Sequence, residues 1–573
     1  MRAAAAQALA GLAGTEPVLL RGVTLPASGP GPAADGIPAP ARAAFGPAEH
    51  RVAADVEPMY DAAAQADIQG LIVPGFNSDH QRFLFLRFGP IPDTRTWLRE
   101  IAPTLATLGE VQRFREEFRS ARLWLGVREP ALTATWRALA LSWRGIAALR
   151  GQAEANRFGD LSFRQDLAER SSFLGDPVDP DRPGHRTKWV VGGPGGGVDA
   201  LVIVAAGHPD DLAAAAGDVV ANAERHGLAV VFDQQGANLP GALAGHEHFG
   251  FKDGISQPGI RGTLTDPDRP VTPRLLGPAD PRHGLFGRPG QPLVWPGQFL
   301  LGEPRQDPQD PLRPAPASTA FPAWARRGSY LVCRRLAQDV AGFWDDVAAL
   351  AEGAGTEPVA LAARLVGRWP SGAPLPRAPG GDDPVLAGDE FASNHFLFDD
   401  DTRPSVLAGV DGYPGDRFTG ARADPFGGVC PHAAHIRKMN PRDSATDFGT
   451  PADTLLRLML RRGIPYGPPL AGVTDPPADL VAADRGLMFV AVMASIEDQF
   501  EFVTRRWANS PILPNAGGSD PIIGQRDRYG DRRRAMTVDG RRLEFAREHV
   551  TATGGGYFFV PPVSAVAGAL ASP

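Results

Sequence analysis

Cysteine is nearly absent: Cys333 and Cys430 are the only two in 573 residues. Two thiols cannot build a disulfide framework, and no Cys-x-x-Cys pair offers zinc spacing. Long apolar runs are missing too. No stretch reaches the roughly 18 apolar residues that span a bilayer. The Ala-rich start, MRAAAAQALAGLAGTEPVLLRG, is interrupted by Gln7, Gly11 and Glu16 and lacks a twin-Arg pair. A cytoplasmic location without a membrane partner is therefore expected. No basic block is sustained and the net charge is −7. That argues against nucleic acid as a partner, whose binding rests on phosphate neutralisation. Two catalytic signatures are absent as well. No Gly-x-Ser-x-Gly elbow joins a strand to a helix. The run Gly192–Gly197 carries Pro194 and leads into a strand, so no helix N-terminus faces a phosphate.

What is abundant is punctuation. Gly 67 and Pro 57 together exceed a fifth of the chain, which predicts many loops. Hydrophobic residues at 43% and charged residues at 21% suit a soluble globular protein, long enough for several domains. Residues 1–55, rich in Ala, Gly and Pro, read as a flexible leader. Ile68–Val73 and Arg82–Phe88 read as strands bounded by Gly and Pro. A helix follows from about Asp93, with Trp97, Ile101 and Leu105 at i, i+4, i+8. Residues 132–150 fit a strand running into a helix, which periodicity alone does not decide. Asp199–Ala205, a helix over 209–226 and Leu228–Phe232 form a strand-helix-strand unit, with Pro209 near the helix start and Gly227 just past its end. A Pro-rich excursion over 263–324 holds one apolar island, Gly297–Gly302. Strand Ser329–Arg334 and a helix over 337–352 open a second unit. Strand Gly486–Met493, a helix over 496–507 and strand Tyr557–Val560 complete an α+β chain.

Two stretches carry chemistry. Around His435, Arg437, Lys438, Asn440 and Arg442 follow within seven residues, and Arg461 and Arg462 close the segment Cys430–Arg462. An imidazole among so many cations suits a bound anion such as a propionate, with the imidazole left to ligate a metal. In His246–Gly262, Asp253 sits between Gly250 and Gly254, where the backbone can approach a flat ligand closely.

These stretches resemble the dye-decolourising (DyP-type) haem peroxidases. Gly250–Gly254 matches the family's GxxDG motif, Ala434–Arg442 its AHIRxxNPR string, and Met459–Gly463 its MLRRG motif. The resemblance runs from about Asp67 to Val563. It implies two ferredoxin-like domains forming a dimeric α/β-barrel-type pair, with antiparallel sheets and peripheral helices. The expected division is a leader (1–55), an N-terminal domain (56–262), the excursion (263–324) and a haem-binding C-terminal domain (325–573). It implies one haem b per chain, reduction of hydrogen peroxide, and oxidation of organic donors through a ferryl intermediate. Homo-oligomerisation is left open.

The resemblance also distributes roles. His435 is the iron ligand; His432, three residues earlier, falls outside the matched position. Peroxide cleavage moves one proton between the peroxide oxygens and places negative charge on the leaving one. Asp253 is the expected shuttle and Arg461 the stabiliser, since arginine cannot give up its proton. Gly254, Ile255 and Ser256 are expected against the haem, with Asn440, Pro441 and Arg442 beside a propionate. Arg368 is a further haem contact, and Leu487 and Phe489 line the distal pocket. Asp447 and Asp453 both remain candidates for the acid that orients His435. Trp369 and Trp507 are candidates for surface oxidation, against ordinary core packing. The rival readings are a non-catalytic haem carrier on the same scaffold, a porphyrin-modifying haem enzyme, and a cofactor-free interaction protein using the Pro-rich segments.

Overall fold

Among the described residues, nine strands form one antiparallel sheet: β1 (His80–Arg87), β2 (Thr135–Leu141), β3 (Ala200–Ala206), β4 (Ala229–Ala237), β5 (Ser329–Gln338), β6 (Leu460–Arg461), β7 (Ile464–Tyr466), β8 (Gly486–Met493) and β9 (Val550–Val560). The computed structural model describes residues 57–125, 132–252, 254–265, 269–275, 283–404, 417–470, 477–525, 534–545 and 547–573. The expected leader lies outside them.

The strand order is β6-β8-β5-β9-β2-β3-β1-β4, with β7 also paired to β8. The order separates two halves, β1–β4 and β5–β9. They abut where Phe559 of β9 faces Leu141 of β2. The far ends curl together. A Cβ on Gly236 of β4 would lie 2.6 Å from Ile464 Cγ2 and 2.9 Å from the Pro465 carbonyl of β7. No ladder pair joins β4 to β7 among the described residues, so the expected barrel-type pair meets there by packing alone.

The inner strands are apolar where both faces are covered; β3 is buried at every position, whereas β4 at the end of the order is exposed or half-buried along most of its length. Phe83, Phe85, Leu201, Ile203, Met488, Val490 and Val492 pack in one layer. Their neighbours Leu84, Leu86, Val202, Val204, Ala491 and Met493 pack in the other. On that second face, α1 (Ile91–Ile101) buries Trp97, Leu98 and Ile101, and α2 (Pro209–Arg225) buries Leu212, Ala215, Ala216, Val219 and Ala223. This is the spacing of an amphipathic helix.

Several expectations change. Ile68–Val73 is a turn rather than a strand, and its Leu71 and Ile72 carbonyls accept hydrogen bonds from Arg462. Residues 132–150 resolve into β2 and a helix, Trp143–Arg150, capped by Ser142 at 3.0 Å from the Gly145 amide. The helix over 337–352 starts later, at Val340, because β5 runs on to Gln338. The helix over 496–507 is π-helical in Ile496–Glu501 and Val503–Ala508. Tyr557–Val560 is the end of the longer β9. Among the described residues, no helix is long and apolar enough to cross a membrane.

Candidate functional site

A short helix, α3 (His435–Met439), presents the histidine of the central motif. Its seat depends on Gly367, which ends helix Pro358–Val366 in a left-handed conformation, φ 96. A Cβ at Gly367 would lie 2.4 Å from Ile436 Cγ1. Gly367→Ala combines that clash with an unfavourable φ and should cost on the order of 2 kcal/mol, read by urea unfolding.

His435 Nδ1 lies 2.8 Å from Asp520 Oδ2. Asp520 is wholly buried, and its other oxygen accepts the amides of Ile522 (2.8 Å) and Ile523 (2.9 Å). Burial pushes this carboxyl up, but His435 and the two amides outweigh it and hold it below its ordinary range. The orienting acid is therefore Asp520. Asp447 instead pairs with Arg506 and accepts from the Trp507 indole at 3.3 Å. Asp453 pairs with Arg457 at 2.9 Å.

The cations around His435 divide by partner. Arg437 is buried on Asp424 (3.2 Å), Asp399 (3.4 Å) and the Cys430 carbonyl (2.8 Å). Lys438 donates to the Leu513 carbonyl at 2.7 Å, and burial pulls its ammonium down to about 8. Both are structural. Both ring nitrogens of His432 face main-chain carbonyls, of Ala516 and Pro425, at 3.0 Å, which leaves neither for a metal.

Arg442 turns the other way. Its backbone is left-handed at φ 58, an uncommon state that sets the guanidinium 3.6 Å over the Phe396 ring. It donates to the carbonyls of Asn394 (3.0 Å) and Phe396 (2.8 Å), to Asn394 Oδ1 (2.7 Å) and to Ser256 Oγ (3.1 Å). Burial lowers its pKa to about 10. Arg368, fully buried, reaches the same Ser256 hydroxyl at 3.3 Å and the Gly372 and Ser393 carbonyls at 2.8 Å. Arg461 donates to the Ser256 carbonyl, and its own amide to Gln257 Oε1 at 3.1 Å. Three guanidiniums thus meet on one serine of the glycine-flanked loop. Asp253 lies outside the described residues. Gly250 before it has φ 95, which favours glycine.

Arg461 lies on β6, which pairs with β8. Arg461 stands across from Ala491 in the ladder, which puts its side chain on the face of Phe489 and Leu487. Those two are partly exposed while Met488 and Val490 between and beside them are buried. The described atoms therefore leave space along this face of a central strand. Ile255 packs beside Gly372, and Pro441 is buried in a turn to Ser444. Asn440 is half-buried, and among the described residues its side chain makes no hydrogen bond. Trp369 and Trp507 are 9% and 0% exposed, which is core packing and not a surface site. Asp520 and Asn394 were not foreseen; neither lies near a motif that would mark it.

These residues fit a haem. Asp520 fixes one nitrogen of His435, so Nε2 is the one that can ligate iron. Arg442 is a half-buried cation with no carboxylate in ion-pair distance among the described residues, which suits a propionate. A Cβ at Gly254 would meet nothing within 4 Å, so there is room against that backbone.

Known proteins agree with the geometry. A dye-decolourising peroxidase from Exidia glandulosa is 31% identical over 526 residues, 88% of this chain and 87% of its own. The solved structure of an ancestral D-type dye-decolourising peroxidase superposes with a TM-score of 0.69 at 30% identity, over 89% of this chain and 99% of that one. The decolourising peroxidase of Auricularia auricula-judae gives 0.64 at 27% identity, over 89% and 100%. No family model matches the chain. With an identity of 31% sustained over most of both chains, and a shared fold around the His435 site, this chain belongs to the dye-decolourising peroxidase family.

Proposed function

We propose that this peroxidase holds one haem b per chain on His435, reduces hydrogen peroxide and oxidises organic donors such as dyes or phenolics. The observation that carries the reading is a buried carboxylate orienting His435, in a chain whose Arg368, Arg442 and Arg461 converge on Ser256 of the glycine-flanked loop. Bound haem would supply the iron that meets peroxide and stores its oxidising equivalents.

The protein's own residues do the rest. Asp520 accepts a hydrogen bond from Nδ1–H, fixes the tautomer and raises the basicity of Nε2. Arg442 and Arg368 hold a propionate, with Gly254, Ile255, Ser256, Asn440 and Pro441 shaping the edge of the slot. Asp253 takes the proton of the inner peroxide oxygen and returns it to the outer one. Arg461 offers fixed positive charge where the leaving oxygen becomes negative. Leu487 and Phe489 exclude water from that face. On this reading 325–573 is the haem-binding domain, 56–262 contributes the Asp253 loop, 263–324 is the excursion between them and 1–55 the leader.

The test is an absorption spectrum of purified protein before and after one equivalent of peroxide. A haem band that shifts with peroxide and returns on adding donor is expected. A haem band indifferent to peroxide would leave a carrier, and a colourless protein from haem-supplemented cells would end the reading. Arg442→Gln removes one charge-assisted bond to the propionate, about 1.5–3 kcal/mol. It should speed haem transfer to apomyoglobin about tenfold or more.

A further inference from the structure

One buried phenol has no part in that reading. Tyr557 of β9 is 1% exposed, and its hydroxyl donates to Glu501 Oε1 at 2.9 Å. Glu501 is itself buried and is gripped by Arg170 through Nε at 2.6 Å and through Nη2. The Tyr557 ring stands edge-on to Phe500, centroids 6.2 Å apart, and Phe500 lies 5.8 Å from Phe489 on the slot wall. Two aromatic contacts therefore join the slot to the phenol. Phe500 and Glu501 are consecutive residues of a π-helical turn, a rare form frequent at functional sites.

We infer that Tyr557 is a redox station, giving one electron toward the slot through Phe500 and Phe489 and passing its hydroxyl proton to Glu501. The inference rests on the peroxidase reading, which supplies the oxidant. The O–H bond breaks; the electron reduces the oxidising equivalent left by peroxide; the proton makes the Glu501 carboxylic acid; a neutral tyrosyl radical remains. An electron from an organic donor and the proton from Glu501 restore the phenol.

The carboxylate decides the matter. A phenol oxidised without a proton acceptor would leave a buried cation, which an apolar core opposes strongly. Burial first, then Glu501, pushes the Tyr557 hydroxyl well above its usual range, so at rest it stays protonated. Arg170 holds the Glu501 carboxylate in place beside the hydroxyl through two of its nitrogens. Two residues along the same strand face, Phe559 lies 6.0 Å from the half-buried Trp324, whose indole donates to Glu154 Oε1 at 3.1 Å. That second aromatic–carboxylate pair gives the route a surface end for donors too large for the slot.

The holoenzyme is mixed with one equivalent of peroxide, without donor, and frozen for electron paramagnetic resonance. A tyrosyl signal that narrows on ring deuteration of tyrosine is expected. Tyr557→Phe should reduce it at least tenfold while the peroxide-induced absorption change persists. Glu501→Gln keeps an acceptor oxygen but no base, should reduce the signal similarly, and serves if Tyr557→Phe misfolds. An undiminished signal in either folded variant overturns the inference. Loss of the absorption change in the unaltered enzyme would instead overturn the peroxidase reading, and this inference with it.

Discussion

Arg461→Leu should leave the protein coloured and slow its reaction with peroxide by about 10²–10³, the usual cost of removing one pre-placed charge-stabilising donor. The side chain touches neither His435 nor Arg442 in the contacts described above, so iron ligation and propionate binding should persist. Its guanidinium is held by the Ser256 carbonyl and its amide by Gln257, which aims it without neutralising it. Arg461→Lys keeps the charge but loses the planar fork, and should fall between. Stopped-flow absorption separates the cases. The resting spectrum should match the unaltered protein while the peroxide-driven change slows. An unchanged rate would remove Arg461 from the mechanism. Asp253→Asn should act in the same direction, by an order of magnitude or more, because the amide cannot carry the proton.

What the sequence revealed about this site was local. His435 and Arg461 sit in contiguous strings, and the β6–β8 ladder explains why the first arginine of the pair and not the second lies on the Phe489 face. Arg461 stands opposite Ala491, on the Phe489 face, whereas Arg462 turns to the Leu71 and Ile72 carbonyls. Those same two carbonyls explain the misread strand at Ile68–Val73: an apolar run suits a strand or a buried turn equally, and the partner that decides it is hundreds of residues away. Asp520 was illegible for the same reason. It lies 85 positions from His435, and an Asp before Pro521 reads as a turn. The nearer acids, Asp447 and Asp453, are consumed by Arg506 and Arg457. Two strand-helix-strand units were visible, but their joining through Phe559 and Leu141 is a long-range pairing that periodicity does not encode. The π-helical turns of Ile496–Ala508 differ from α-helix by less than one residue per turn, too little to see in so short a window.

Asp520→Asn should weaken haem retention or peroxide turnover 10–100-fold, and the reason is a tautomer. The carboxylate accepts from three donors at once: the Ile522 and Ile523 amides on Oδ1 and the His435 ring on Oδ2. Asparagine has one acceptor oxygen and one donor nitrogen. If its oxygen stays with the two amides, its NH₂ faces Nδ1, and the imidazole proton must move to Nε2, the nitrogen needed for iron. If it flips, two buried amides lose their acceptor at about 1–3 kcal/mol each. Either outcome damages ligation, so circular dichroism should report a folded protein that takes up haem poorly or in an altered ligation state. The same pair sets an acid limit. The Asp520 carboxyl is held below its ordinary 3.8, so its contribution is fully present above that value and fades only as pH falls through the lower, folded one. Haem release on acidification should therefore begin below about pH 4 in the unaltered protein. In Asp520→Asn the titrating group is gone, and that step should disappear from the release curve; its persistence would place the acid-sensitive contact elsewhere than beneath His435.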